Sequence, residues 1–271
     1  MTLPAVLVAP GSLAAGRTVP LDDDEAHHLA VRRIPPGSPV EAFDGAGTTA
    51  RATMVPTGTA VSLAIGPVTV TEPPPELVLA VGAGDRDRFV ALAERCTELG
   101  VTTLVPLRTE RTRGVESRVR DVTLDRARRR AREACKQARN PWAARVESPV
   151  DLEHLRGIAG VGRWLLADAA GGACPSIGSH EAVGWLVGPE GGFTEAERAF
   201  CTERLAARAV TFGRRILRFD TAAICAAVLS ADRRSDVLEE CGWAASSAGS
   251  PPARFPRASS RATPMPSPST T

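Results

Sequence analysis

The stretch WLVGPEGGFTEAE, Trp185 to Glu197, joins a short apolar run to a helix start through a turn with one proline and three glycines. Val183–Val187 has the length and composition of a buried strand. Thr194 and Glu197 form a T-x-x-E capping box that opens the next helix. Gly188-Pro189-Glu190-Gly191-Gly192 therefore stands just past the carboxyl end of a strand, where open α/β sheets bind ligands. Glycines there permit positive φ and let a ligand approach the backbone amides. A phosphate cradle would be followed by a basic residue and would avoid acids, whereas Glu190, Glu195 and Glu197 surround this turn. The acids argue against a nucleotide phosphate and admit a ligand with a positive centre. From this stretch alone, a structural turn and a binding loop remain equally open.

Outward from that turn the same grammar repeats. ELVLAV (76–81), VTTLVPL (101–107), RWLLAD (163–168), VGWLVG (183–188) and RAVTFG (208–213) read as strands. Between them, DRDRFVALAERCTELG (85–100) places Phe89, Leu92, Ala93, Cys96 and Leu99 on one helical face, closed by Gly100. DVTLDRARRRAREACKQAR (121–139) is a basic helix with a thin stripe of Leu124, Ala127, Ala131, Ala134, Cys135 and Ala138. TEAERAFCTERLA (194–206) is a further helix, and TAAICAAVLSADRR (221–234) is the last, with Asp220 as its N-cap. Strands alternating with helices predict an α/β fold with a mostly parallel sheet covered on both faces.

The first 71 residues read differently. PVEAFDGAGTTARATMV (39–55) is strand, Asp-Gly turn, strand, and AVSLAIGPVTV (60–70) is further strand. Helical periodicity appears only near DEAHHLAVRRI (24–34). This predicts a small β-barrel or sandwich with one short helix. EPPPE (72–76) is a stiff linker that no helix or central strand could contain. The expected division is 1–71, the linker 72–76, an α/β domain over 77–243, and a Ser/Pro-rich tail, 244–271, too poor in aliphatics to fold.

Composition narrows the function. No apolar run among the 271 residues approaches a membrane span, and with Arg17 as the first charge a signal peptide is not expected. A cytoplasmic, membrane-free protein is the expectation. The six cysteines contain no C-x-x-C pair, which disfavours structural zinc and a disulfide framework and predicts buried thiols. His27 and His28 lack a companion ligand cluster, so they read as packing or RNA contacts and no metal is expected. Arg108 to Arg139 holds twelve basic and five acidic residues, a net +7 in a chain of net +2. That segment is either a polyanion-binding face or a solvated arginine-rich helix.

FGRRILRFDTAAICAA (212–227) is the second motif. Arg214, Arg215 and Arg218 bracket Ile216 and Leu217 in a loop after the last strand, ahead of a helix of small residues. Such a loop either walls a pocket while presenting guanidinium groups to an oxyanion or is a surface loop with two core anchors.

LVGPEGGFTEAE followed about twenty residues later by FGRRILRFDTAA resembles the bacterial 16S rRNA (uracil-N3)-methyltransferases, the RsmE type of the SPOUT superfamily. DEAHHLAVRRIPPGSPVEAFDGAG is similar to that family's PUA-like barrel. GDRDRFVALAERCTELGVTTLVPLRTERT and REACKQARN resemble its first catalytic blocks, and the resemblance runs to about Ala231. It implies an α/β domain with a C-terminal trefoil knot, a homodimer, S-adenosyl-L-methionine as methyl donor, and N3 of uracil-1498 in 16S rRNA of the small ribosomal subunit as acceptor. Carried onto this chain, the donor's walls are Leu166, Asp168, Gly188, Pro189, Glu190, Gly191, Gly192, Phe212, Gly213, Ile216, Leu217, Thr221 and Ala222.

Uracil N3 is a poor nucleophile until its proton leaves, and the charge then spreads to O2 and O4, where an arginine would stabilise it. Arg218 and Arg111 are the candidates, with a phosphate contact as the alternative role of Arg111 and a second subunit as an alternative source of it. Glu190 could position or remove the proton, whereas Glu98 reads better as a helix salt bridge. Arg126, Arg129, Arg130 and Arg139, with Arg86, Arg32 and Arg33, are the expected rRNA contacts. The chain departs from the family pattern at Ala83, where a lysine is common, and at Arg214, where a proline is. Residues 1–71 carry four basic and six acidic residues. These features support an alternative, an RNA-binding ribosome-assembly factor with altered or lost catalysis. A nucleotide-dependent oxidoreductase built on GAGDRD (82–87) lacks the third glycine and is disfavoured.

Overall fold

The computed structural model describes residues 3–57, 60–112, 119–157 and 160–231. Its first sheet is built from strands with one dry face. In β4 (Thr48–Thr57), Ala50, Ala52 and Met54 point inward while Arg51 and Thr53 face water. β4 pairs antiparallel with β3 (Pro39–Phe43) and β5 (Ala60–Val70), and β1 (Ala5–Leu7) and β2 (Thr18–Pro20) complete the order β1-β3-β4-β5-β2. The Asp-Gly turn forms as expected, with the Asp44 carboxylate accepting from the Ala46 and Thr48 amides at 2.8 and 2.9 Å. β1 and β2 are not paired to each other among the described residues, so the strand order does not close on itself as a full barrel would. Val6, Val19 and Leu29 of α1 (Asp23–Val31) share its core.

The second sheet runs β12-β10-β11-β6-β7-β8, with β9 also on β7, and every pairing is parallel. Its strands are β6 (Leu77–Val81), β7 (Thr103–Arg108), β8 (Arg145–Val146), β9 (Val150–Asp151), β10 (Arg163–Gly172), β11 (Val183–Val187) and β12 (Arg208–Val210). β6 and β11 are buried at every position, as a sheet covered on both faces requires. Leu77, Leu79, Val81 and Trp185 face α2 (Arg86–Glu98), α3 (Asp121–Ala138) and α5 (Phe219–Ala231). Val78, Ala80 and Leu186 face Leu155, Cys201 and Leu205 on the other side. Asp85 caps α2, accepting from the Asp87 and Arg88 amides at 3.0 Å each. The predicted stripe of α3 is buried except for Ala138.

Two helices differ from expectation. The helix beginning at Thr194 holds α-geometry only over α4 (Glu195–Ala199) and then widens into a π turn, Phe200–Arg204. α5 starts at Phe219, with the Arg218 carbonyl accepting the Ala222 amide at 2.8 Å, so Asp220 sits in the first turn instead of capping it. There its charge still complements the helix dipole.

The arginine-rich helix docks the first sheet. Lys136 pairs with the buried Glu25, Arg132 donates to the Val8 carbonyl at 2.8 Å, and Arg139 donates to the Leu3 carbonyl at 2.7 Å and pairs with Glu41. Trp142 reaches the linker, its indole N–H donating to the Glu72 carbonyl at 3.1 Å. The tail 244–271 and the end of the predicted 77–243 domain lie outside the described residues.

Candidate active site

Three strand ends build the site. Because β12, β10 and β11 are neighbours and parallel, the loops leaving them open on the same edge of the sheet. A cavity of ≈ 890 Å³ lies among these loops. Leu166 and Asp168 line it from β10 itself, Gly188 to Gly192 from the loop after β11, and Phe212, Gly213, Ile216 and Leu217 from the loop after β12. Ala222 adds a wall from α5, while its neighbour Thr221 is exposed and does not line the cavity. The two motifs separated in sequence thus meet across one cavity.

The glycines of the turn have distinct reasons. Gly192 holds φ 71° while its amide donates to the Pro189 carbonyl at 2.7 Å, a conformation that favours glycine. A Cβ on Gly188 would lie 3.0 Å from the Phe193 nitrogen, and one on Gly191 would lie 3.0 Å from Arg111 Cδ. Gly82 belongs to the same construction. Its amide donates to the Val187 carbonyl at 2.8 Å, and a Cβ there would meet Pro189 Cδ at 2.6 Å. The GAGD segment is therefore a packing surface beneath the turn.

Arg111 comes to the cavity from its own chain, its guanidinium donating to the Gly191 carbonyl. It sits in the 3-10 turn Glu110–Thr112, directly after β7. The capping box is formed as predicted, Thr194 Oγ1 accepting from the Glu197 amide at 3.2 Å and Glu197 from the Thr194 amide at 2.7 Å. Glu190 is exposed at the cavity and makes no hydrogen bond or ion pair among the described residues. Arg218 is exposed and outside the lining, one residue beyond Leu217.

Asp168 is engaged on both oxygens. Oδ1 accepts the Ala170 amide at 2.8 Å, and Oδ2 pairs with Arg198 at 2.8 Å, with the Asp168 side chain 10% exposed. Arg198 belongs to α4 and also lines the cavity, as do Thr202 and Glu203 of the π turn. Sequence reasoning missed all three, because an ordinary helix register gives no sign that this segment widens toward the strand ends. Arg215 also lines the cavity; it was legible as part of the loop but not as a wall. Below the cavity Phe212 packs on Trp185, ring centroids 5.4 Å apart, and the Trp185 indole N–H donates to Ser230 Oγ at 2.9 Å.

The predicted nucleic-acid contacts separate into two groups. Arg126, Arg129 and Arg130 are exposed on α3, with side-chain partners Asp87, Glu133 and Glu94 at 3.4 to 4.0 Å, and Arg86 is exposed beside Asp87. Such surface pairs are readily exchanged for phosphate. Arg139 instead lies at the junction with the first sheet, and Arg32 and Arg33 are exposed after α1.

An RNA methyltransferase domain model matches residues 71–231, and an RNA methyltransferase PUA domain model matches residues 21–59. The ribosomal RNA small subunit methyltransferase E of Synechocystis is 30% identical over 231 residues, covering 80% of this chain and 73% of that one. The chain belongs to the ribosomal RNA small subunit methyltransferase E family. A solved member from Neisseria gonorrhoeae, bound to S-adenosyl methionine, superposes with a TM-score of 0.71 at 28% identity, covering 83% of this chain and 95% of that one. A Legionella pneumophila structure with a TM-score of 0.70 at 23% identity, covering 86% of this chain and 98% of that one, shares the fold. In this chain the glycine turn and the arginine loop are two lips of one cavity.

Proposed function

We propose that this RNA methyltransferase transfers a methyl group from S-adenosyl-L-methionine to N3 of a specific uridine, uracil-1498, in 16S rRNA of the small ribosomal subunit. The observation that carries the reading is the cavity itself: a wall from β10 and the loops after β11 and β12, apolar side chains of Leu166, Phe212 and Leu217, and Glu190 exposed at the cavity with no hydrogen bond or ion pair among the described residues. The fit of the donor is supported by the glycine turn, whose Gly188, Gly191 and Gly192 line the cavity with bare backbone. S-adenosyl-L-methionine supplies a methyl group on a cationic sulfur, and the acids about the glycine turn favour that charge.

Arg111 holds negative charge on a uracil carbonyl oxygen as the N3 proton leaves, and Arg218 on the rim shares that task. Glu190 orients or accepts the proton. Arg126, Arg129, Arg130 and Arg86 hold the rRNA backbone, and Arg32 and Arg33 extend that contact from the first sheet. The acceptor's site specificity is supported by the family to which the chain belongs.

The reading includes a trefoil knot formed by the loops after β10, β11 and β12. It is supported by the excursion Asp168–Gly171, which closes back on Val210 so tightly that a Cβ on Gly171 would lie 2.5 Å from the Val210 nitrogen. A homodimer is supported by Ile216, 94% exposed at the cavity, and Val228, 45% exposed on a helix apolar on all sides. The reading places the enzyme in the cytoplasm, with residues 1–71 as its RNA-binding domain, 72–76 as linker and 77–243 as its catalytic domain.

Calorimetry with S-adenosyl-L-methionine on wild type and Gly191→Trp tests the donor pocket, and the variant is expected to lose binding. Small-subunit rRNA from a strain lacking the gene should lack one N3-methyluridine and regain it on incubation with the protein. Undiminished donor binding by Gly191→Trp would sink the pocket assignment, and rRNA that gains no N3-methyluridine would sink the reaction.

A further inference from the structure

Glu197 has a partner that helix capping does not explain. One carboxylate oxygen accepts the Thr194 amide at 2.7 Å, as a capping box requires. The other accepts the Glu110 amide at 2.7 Å, from a residue 87 positions away. Glu110 opens the turn that carries Arg111. That turn is closed on itself, since the Thr109 amide donates to Thr112 Oγ1 and the Thr112 amide to the Thr109 carbonyl, each at 3.0 Å between buried threonines. A closed turn moves as one piece, and the carboxylate of Glu197 fixes that piece to the start of α4. Arg111 then lies over Gly191, its guanidinium on the Gly191 carbonyl.

We propose that Glu197 is a positioning residue for Arg111, with one oxygen holding the helix start behind the glycine turn and the other holding the arginine's own backbone. The start of α4 behind the glycine turn and the turn that carries Arg111 are thereby set at a fixed spacing by one side chain. A carboxylate suits this task because it accepts from two amides at once, whereas a carboxamide offers one acceptor oxygen and turns a donor toward the second amide. The proposal rests on the reading of Arg111 as a group that meets the substrate, and its test separates the two.

The test compares Glu197→Gln, Glu197→Asp, Thr194→Ala, Arg111→Ala and the Arg111→Ala/Glu197→Gln double variant as full-length protein. Thr194→Ala removes the hydroxyl half of the capping box and leaves the Glu197–Glu110 bond, so it controls for loss of helix stability. Amide hydrogen exchange across residues 109–112 should quicken in Glu197→Gln and Glu197→Asp and stay at the wild-type rate in Thr194→Ala. In methyl transfer, Glu197→Gln should lower kcat on the order of tenfold, the scale expected when a catalytic group is slightly misplaced, with KM for S-adenosyl-L-methionine unchanged. Thr194→Ala should transfer at nearly the wild-type rate, and Glu197→Gln should add no further loss to Arg111→Ala. Unchanged exchange at Glu110, an equal kcat loss in Thr194→Ala, or full additivity with Arg111→Ala would each overturn the proposal. If Arg111→Ala transfers at the wild-type rate, the role given to Arg111 falls, while the exchange measurement still decides whether Glu197 fixes its turn.

Discussion

Gly82 lies against Pro189 so closely that a Cβ on the glycine would stand 2.6 Å from the proline Cδ and 2.7 Å from its nitrogen. Pro189 is buried and begins the turn that lines the cavity, so the end of β6 sets the height of that turn. Gly82→Ala must push Pro189 outward, because the contact is with backbone and a rigid ring. Overpacking of this kind costs about 1–3 kcal/mol. The expected outcome is a lowered urea midpoint together with roughly tenfold weaker S-adenosyl-L-methionine binding, the equivalent of about 1.4 kcal/mol. Wild-type affinity in a folded Gly82→Ala protein would show that the turn does not depend on β6.

Arg111 and Arg218 separate by position. Arg111 lines the cavity and contacts Gly191, whereas Arg218 is exposed and outside the lining. Removing a donor aimed at developing negative charge costs on the order of a hundredfold in kcat. Arg111→Ala should show that loss with little change in donor affinity, and Arg111→Lys should not restore it, since a point charge lacks the planar fork. Arg218→Ala should slow transfer less than Arg111→Ala. Single-turnover methylation of small-subunit rRNA distinguishes the two, and the reverse order would reassign the principal role to Arg218.

The parallel sheet was legible because its central strands are short apolar runs separated by periodic helices, as in Val183–Val187 and Phe89 to Cys96. Each lip of the cavity alone read equally well as a structural turn or a surface loop, and only the pairing of the two motifs at the spacing of the resembled family pointed to one site. The walls from Thr202 and Glu203 were not legible, since they lie on a π turn after Ala199 that leaves no mark in residue type, and nothing in residue type set Arg198 of α4 against Asp168. Composition could not divide the arginines of α3 between solvent and interface. Charge shows that the helix is basic, but only packing shows that Arg132, Lys136 and Arg139 meet the first sheet. The short end strands β1 and β2, of three residues each, carry too little pattern to be read beforehand.

The ion pair of Lys136 with Glu25 ties the two sheets together, with side chains only 17% and 8% exposed. Glu25 also accepts the Leu7 amide at 3.3 Å. Lys136→Met leaves a buried carboxylate without its counter-charge, which costs about 3 kcal/mol when a pair is buried. Lys136→Met/Glu25→Leu should recover most of that loss, because neither charge is then stranded. Urea unfolding of the three proteins measures the difference, and S-adenosyl-L-methionine affinity should stay at the wild-type value throughout. A single variant as stable as wild type would show that the pair is not what holds the sheets.

Glu76, at the start of β6, gathers partners from two other strands. It accepts from Thr102 Oγ1 at 2.5 Å, from Thr103 Oγ1 at 3.2 Å and from Arg145 at 2.7 Å. Burial alone would raise its pKa, but hydrogen bonds from Arg145, Thr102 and Thr103 and the Arg145 charge outweigh it and bring the carboxyl below its ordinary 4.5. A carboxyl lowered on folding stabilises the protein above its unfolded pKa, and that contribution fades as pH falls through the folded value. Solvent reaches the group, so its worth at neutral pH is no more than about 1 kcal/mol. Wild type should therefore exceed Glu76→Gln in stability at pH 7, and the two should converge as pH is taken below 4.5. A gap that stayed constant down to that acid range would show that Glu76 acts through its shape and hydrogen bonds, with its charge contributing nothing.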